Sequence, residues 1–313
     1  MNFVAPKYFQ ANDIISFLSE VEQAFSLKDQ MQPKVLFDLS KIKQVNILGI
    51  LLIYKFIDYT YNNHCFHKPE VKVNDYIEKQ WTKYGFRDLI ELYVSNKDVL
   101  DKGYKKLNVQ IHNNFIIAPQ PLLRNDNYSN EVLKSSFLPK IKEYYSFDER
   151  VVTMIFQCLS EVLLNFWEHA VEDTKSILVA DGNKQMIEIA CADTGNGIIT
   201  TLGQANSSEN YTKEDLIYNS VQKGITSKSM TDHMGYGLWI LNQITHLTKG
   251  RLHLYSQGAY FQNEFGKEKI GTCGYWQGTI IYLSLPLKNP KTLSDIGVFK
   301  TDHELKNLKI NWK

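Results

Sequence analysis

Between Ile47 and Tyr61 apolar residues stand at 47, 48, 51, 52, 56 and 57, and the run Val45–Ile57 is relieved only by Asn46, Gly49 and Lys55. A helix this apolar has no broad face to leave in water, so the fold must cover it on more than one side. The run is also well short of the roughly 20 residues that cross a bilayer. It therefore predicts a buried helix inside a globular chain. The start, MNFVAPKYFQAND, lacks a basic segment followed by a long apolar core, so a soluble, cytoplasmic protein with no membrane contact is expected.

At 313 residues the chain fits one large domain or two modest ones. Lys and Arg number 35 against 34 Asp and Glu, a net charge of +1, which argues against a nucleic-acid partner held by net charge. Cys65, Cys158, Cys191 and Cys273 are far apart and form no CxxC pair, so reduced thiols are expected.

The β-rich run Lys34–Leu39 predicts a strand ahead of the apolar helix, and Tyr76–Val94 predicts an amphipathic helix broken at Gly85. Together they make a small α/β unit. Pro119, Pro121 and the polar Arg124–Asn127 predict a connection over Ala118–Ser129, and the domain boundary is put there. Beyond it, Asp148 suits the N-cap of a long helix to Val171. Strands are expected at Ser176–Ala180 and Met186–Ala192, joined by the hairpin signal Asp181-Gly182-Asn183. A polar Gly/Asn/Ser stretch follows, then helices near Lys213–Gln222 and Leu238–Leu247 and strands at Arg251–Tyr255 and Thr279–Leu285. The Lys-rich tail after Pro286 is expected to be peripheral.

Three segments carry polar groups in a pattern that suggests chemistry. In EVLLNFWEHA, Glu161 and Asn165 are one helical turn apart and share a face. In ADTGNGI, Asp193 leaves a strand into a turn whose Gly195 and Gly197 let a ligand approach the backbone. In KGITSKSMTDHMGYGLWIL, a Thr/Ser/Lys cluster precedes Gly235, Gly237 and Leu238, which open a helix whose free N–H groups attract phosphate. Taken singly, each has an ordinary explanation: a polar helix surface, a turn, a helix start.

Their order, E-x-x-x-N on a helix, D-x-G-x-G after a strand, a long loop with G-x-G-L, and a strand starting at Gly278-Thr279, resembles the GHKL superfamily, the ATP-binding fold of gyrase, MutL and sensor histidine kinases. The likeness covers roughly residues 125–290. It implies a Bergerat-type α/β sandwich over residues 121–290, with 291–313 as a tail, and ATP and Mg²⁺ as cofactors. It further implies that Asn165 ligates Mg²⁺ and that Asp193 accepts from the adenine amino group, helped by Thr279 through water. Gly195 and Gly197 would let the base lie against backbone, Gly235, Gly237 and Leu238 would offer amides to phosphate, and Lys228 would be a lid cation. Glu161 would orient or deprotonate the attacking water. Glu168 departs from the basic residue common in histidine kinases and is nearer to gyrase and MutL, whereas His169 matches the kinase-like pattern and either contacts phosphate or packs.

VLFDLSKIKQVNILGILLIYKF (35–56) and KYGFRDLIEL (83–92) resemble the strand–loop–helix and a later helix of STAS domains, implying a smaller STAS-like α/β domain over residues 1–120. The D-S-S-G pattern of that family is Asn46-Ile47-Leu48-Gly49 here, so no hydroxyl is available for phosphorylation at that place. The functional expectation is an ATP-binding and ATP-hydrolysing switch that controls domain or partner docking. The alternatives are a serine/threonine kinase of the anti-sigma-factor type and a non-hydrolysing ATP-dependent scaffold. Expected partners are ATP, ADP and a protein of unspecified identity, with homo-oligomerisation open. A histidine kinase is disfavoured because no phosphoacceptor hairpin precedes Asp148. Zinc catalysis and a Ser-His-Asp hydrolase lack any motif.

Overall fold

The computed structural model describes residues 1–27, 33–63, 66–90, 115–122, 132–169, 176–205, 210–226 and 235–297. The N-terminal part runs β1 (Asn2–Val4), β2 (Tyr8–Phe9), α1 (Ile14–Phe25), β3 (Leu36–Asp38), β4 (Gln44–Val45), α2 (Ile47–Asn62), β5 (Glu70–Lys72), α3 (Asp75–Tyr84) and α4 (Phe86–Leu89). Strands β1, β3 and β5 pair in parallel in that order, and β2 pairs with β4. The apolar run is α2, held at its start by Asn46, whose side-chain oxygen accepts from the Gly49 N–H at 2.9 Å. Gly85, at φ 81°, ends α3 in the left-handed conformation that glycine adopts without strain, which is the break expected there.

The rest of the chain adds β6 (Phe115–Leu122), α5 (Leu138–Tyr145), α6 (Glu149–His169), β7 (Ser176–Gly182), β8 (Met186–Ala192), α7 (Gly197–Ala205), α8 (Lys213–Asn219), α9 (Gly237–Thr248), β9 (Arg251–Ser256), β10 (Ala259–Glu264), β11 (Lys267–Thr272) and β12 (Thr279–Pro286). Its strands form one seven-stranded sheet in the order β11-β10-β9-β12-β8-β7-β6, and every neighbouring pair is antiparallel. The chain is thus a mixed α/β protein.

Alternation along these strands gives the sheet two apolar faces. Leu178, Ile189, Cys191, Leu254 and Ile281 point into a core shared with α6 and α9. Ile177, Val179, Ala190, Ala192 and Ile280 point the other way, into a core shared with α1, α2 and the small sheet. Helix α2 packs on β7 and β8, while its Phe56 ring meets Phe3 of β1 at 4.9 Å and Phe37 of β3 at 5.2 Å. Both sides of the helix are covered, as its composition requires. Lys55, fully buried within it, is matched by Asp58 at 3.6 Å, since a buried charge without a partner would be costly.

Several expectations need correction. Ala118–Leu122 is not a connection: it belongs to β6, so residue 120, the expected boundary, lies inside the large sheet. Proline is tolerated there because β6 is an edge strand, with a register shift between Ile117 and Gln120 that spans Pro119. The polar stretch after β8 contains α7. The tail is not wholly peripheral, because Leu287 is buried, Leu293 and Ile296 pack on the core, and Arg150 pairs with Asp295 at 2.7 Å. The β10–β11 hairpin, α1 and the two first strands had no counterpart among the expected elements.

A shared core has a measurable consequence. Near- and far-ultraviolet dichroism should report one coincident thermal transition for the whole chain; two separated transitions would contradict the sharing. Gly49→Ala should lower that transition, because a Cβ would stand 2.8 Å from Val45 Cγ2 and 2.9 Å from the Phe9 carbonyl oxygen. The expected cost is about 1–3 kcal/mol of overpacking.

Candidate functional site

Asp148 starts α6 as its composition suggests: one carboxylate oxygen accepts from the N–H groups of Arg150 at 2.8 Å and Val151 at 3.3 Å. Capping fixes where the helix begins, and so which side chains face the sheet. Glu161 and the half-buried Asn165 follow on one face, a turn apart. Helix α6 packs against α9, and Gly237, the first residue of α9, comes close to Glu161. A Cβ at Gly237 would lie 3.0 Å from Glu161 Oε2, so the carboxylate lies beside the helix start and would have to give by a few tenths of an ångström to a side chain there. Burial, with the Glu161 carboxylate adding to it, pushes the Cys158 thiol up, and Cys158, Cys191 and Cys273 are free thiols.

Asp193 follows β8 directly and is 3% exposed. Its N–H donates to the Thr279 carbonyl oxygen at 3.0 Å, continuing the β8–β12 ladder one step. One carboxylate oxygen accepts from Gly195 N–H at 2.7 Å and the other from Thr279 N–H at 3.2 Å. Gly278 presses on this residue: a Cβ there would fall 2.1 Å from Asp193 Oδ1 and 2.4 Å from its carbonyl oxygen.

Gly197, at φ 70°, turns the chain into α7, and a Cβ would meet Ser256 Oγ at 2.7 Å. The first turn of α7 is capped from a distance. Ser256 Oγ accepts from Ile198 N–H at 3.0 Å and Gln257 Oε1 from Thr200 N–H at 2.8 Å. On the other side, Gly235 (φ 66°) returns the chain to Gly224, whose N–H donates to the Gly235 carbonyl oxygen at 3.2 Å. A side chain at 235 would lie 2.6 Å from the Ile225 carbonyl oxygen, so the loop between them leaves and returns at one point. Among the described residues, Tyr236 gives the start of α9 no side-chain cap. Beside it the Lys223 ammonium lies 5.5 Å and 5.2 Å over the Tyr236 and Trp239 rings.

Of the residues expected from sequence, the fold thus joins Asp193 to Gly195 and Thr279, and Glu161 to Gly237. Asn165 lies along the same helix face. Leu238 is buried in the core between α9 and α6. His169 ends α6, but its side chain and Lys228 lie outside the described residues. Ser256, Gln257 and Trp276 went unnoticed, and Gly278 was noted only as the start of a strand, without its contact to Asp193. A glycine just before a strand that pairs with β8 was the one available signal, while the others act across long sequence distances.

Among the described residues no group of three or more His, Cys, Asp and Glu side chains is arranged to hold a metal ion. A cation at Asn165 would therefore draw most of its ligands from a bound phosphate or water, as Mg²⁺ commonly does. Among the described residues no helix is long and apolar enough to cross a membrane. A cavity of about 600 Å³ in the N-terminal part is lined by Lys7, Ser40, Lys41, Lys43 and Asn74, and none of the motif residues borders it. No protein-family model and no curated protein matches this chain.

The contact between Gly278 and Asp193 can be tested by stability alone. Gly278→Ala should cost about 1–3 kcal/mol through forced displacement. Gly203→Ala should not, because a Cβ there meets only Leu216 Cδ1, at 3.6 Å. Equal urea midpoints for the two variants would contradict the contact.

Proposed function

We propose that this chain binds Mg–ATP at the end of the seven-stranded sheet and hydrolyses it as a nucleotide-dependent switch. The observation that carries the reading is the meeting of distant motifs: Glu161 of α6 lies beside Gly237 of α9, and Asp193 at the end of β8 is bonded to Gly195 and Thr279. Further support comes from the antiparallel sheet with α6 and α9 on one face, the arrangement that a GHKL-type sandwich requires.

The residues fit such a ligand. Asp193 offers a fixed, buried acceptor to an exocyclic amino group. Gly278 leaves no side chain at its back, and Gly195 keeps the neighbouring backbone open to a flat base. The start of α9 suits a phosphate, as free helix N–H groups and the helix dipole do generally. Asn165 would hold Mg²⁺ through its amide oxygen, and the ion would supply charge neutralisation at the phosphate tail. Glu161, a turn away, would orient a water and take its proton. The loop between Gly224 and Gly235 would close over the phosphates, with Lys228 as a candidate cation within it and His169 as a further candidate contact.

The N-terminal STAS-like part would serve as a docking element, because α2 already covers the back of the sheet. Asn46 is used as a helix cap and Gly49 for close packing on β2. That place is therefore built for structure and carries no phosphate acceptor.

Turnover and binding separate the roles of two neighbours. Glu161→Gln should slow phosphate release by about 10²–10⁴-fold while ATP affinity persists, whereas Asn165→Ala should lose both. Both are read from phosphate release beside nucleotide titration, with and without candidate partners. Wild-type hydrolysis in Glu161→Gln would rule out the base assignment. A wild-type protein that releases no phosphate but labels a partner on serine or threonine would establish the kinase alternative.

A further inference from the structure

Asp193 is held in place by the stretch Cys273–Gly278 that joins β11 to β12, and the same stretch is clamped onto α1. At its far end, Trp276 is wholly buried and its indole N–H donates to the Asp193 carbonyl oxygen at 2.7 Å. Gly278 is packed directly on Asp193. The Trp276 carbonyl oxygen accepts from Gln257 N–H at 2.9 Å, and that of Gly278 accepts from Ser256 Oγ at 2.9 Å. Ser256 Oγ also caps α7 just after the Asp193 turn.

At its near end, Gly274 approaches the α1 backbone so closely that a Cβ would fall 2.2 Å from the Leu18 carbonyl carbon and the Ser19 nitrogen. Tyr275 N–H donates to Glu22 Oε2 at 3.1 Å. The Phe25 ring meets the Trp276 ring edge-on at 5.3 Å and the Tyr275 ring at 6.0 Å. Three successive residues thus hold α1, and Trp276 and Gly278 hold Asp193.

We infer that Cys273–Gly278 is a strap through which α1 sets the position of Asp193, with Trp276 as the positioning residue. The consequence for ligand binding rests on the nucleotide reading above: displacement of α1 loosens the base acceptor and lowers both ATP affinity and discrimination between bases. The N-terminal part then tunes the site without touching the ligand.

The test uses the full chain and has a readout that needs no nucleotide. Amide exchange by nuclear magnetic resonance follows three protons tied to Asp193: its own, bonded to Thr279, and those of Gly195 and Thr279, bonded to its carboxylate. Phe25→Leu and Gly274→Ala should speed these at least about tenfold, while Ile244 in the middle of α9 keeps its rate. Trp276→Phe keeps a ring in place but removes the indole donor. It should lower ATP affinity about tenfold, the size of one buried hydrogen bond, and narrow the preference for ATP over GTP. Unchanged exchange at all three protons in both α1-side variants would overturn the strap. Faster exchange in a protein that binds no ATP would uphold the strap and remove the nucleotide reading. ATP binding with exchange and base preference unchanged in every variant would remove the strap alone.

Discussion

Burial of α2 on both sides is the constraint from which the rest of the architecture follows. The seven-stranded sheet carries apolar side chains on both faces, and α6 and α9 can cover only one of them. Helix α2 covers the other and is itself covered by β1 and β3 through Phe56, Phe3 and Phe37. Each fully buried Ile, Leu or Phe contributes on the order of 1.5–3 kcal/mol relative to exposure. Uncovering either side of α2 would therefore forfeit a large part of a net stability that is itself only about 5–15 kcal/mol for a typical domain. The two halves of the chain are joined by a continuous core, and whatever moves the N-terminal part acts on the sheet.

That continuity reaches the candidate site. Asp193 sits at the end of β8, where its carbonyl oxygen is bound by Trp276, part of the α2 core, and its carboxylate accepts from the Gly195 and Thr279 N–H groups. An acceptor fixed from both sides loses little freedom when a ligand arrives, which is how a preorganised site gains affinity. The opposite end of the site is built differently. There the described residues show Gly224 and Gly235 joined by a backbone hydrogen bond, the Gly224 N–H donating to the Gly235 carbonyl oxygen at 3.2 Å.

Much of the fold was legible because local chemistry and tertiary role agreed. The Asp148 cap, the Gly85 break and the two-sided apolarity of α2 are each decided within a few residues, whereas the turn expected at Asp181–Asn183 falls later, at residues 183–185, because Asp181 and Gly182 continue β7 in register with Glu188 and Ile187. What was missed depends on partners far away in sequence. Helix α7 looks like a polar loop because its capping groups are Ser256 and Gln257, not its own neighbours. Strand β6 looks like a linker because Pro119 and Pro121 are punctuation everywhere except on a sheet edge. The site residues Glu161, Asn165, Asp193 and Gly237 could be proposed from motif order, but the contact of Glu161 with Gly237 and the grip of Gly278 on Asp193 could not. Both depend on the absence of a side chain, which a sequence shows only as a glycine among seventeen.

Base recognition by Asp193 is the central claim, and isothermal titration of the full chain with ATP and with GTP in Mg²⁺ tests it most directly. Adenine presents an amino donor where guanine presents a carbonyl oxygen, so a buried carboxylate acceptor should favour ATP by about 1–3 kcal/mol, and Asp193→Asn should remove that preference. Equal affinity for the two nucleotides, or wild-type preference in Asp193→Asn, would contradict it.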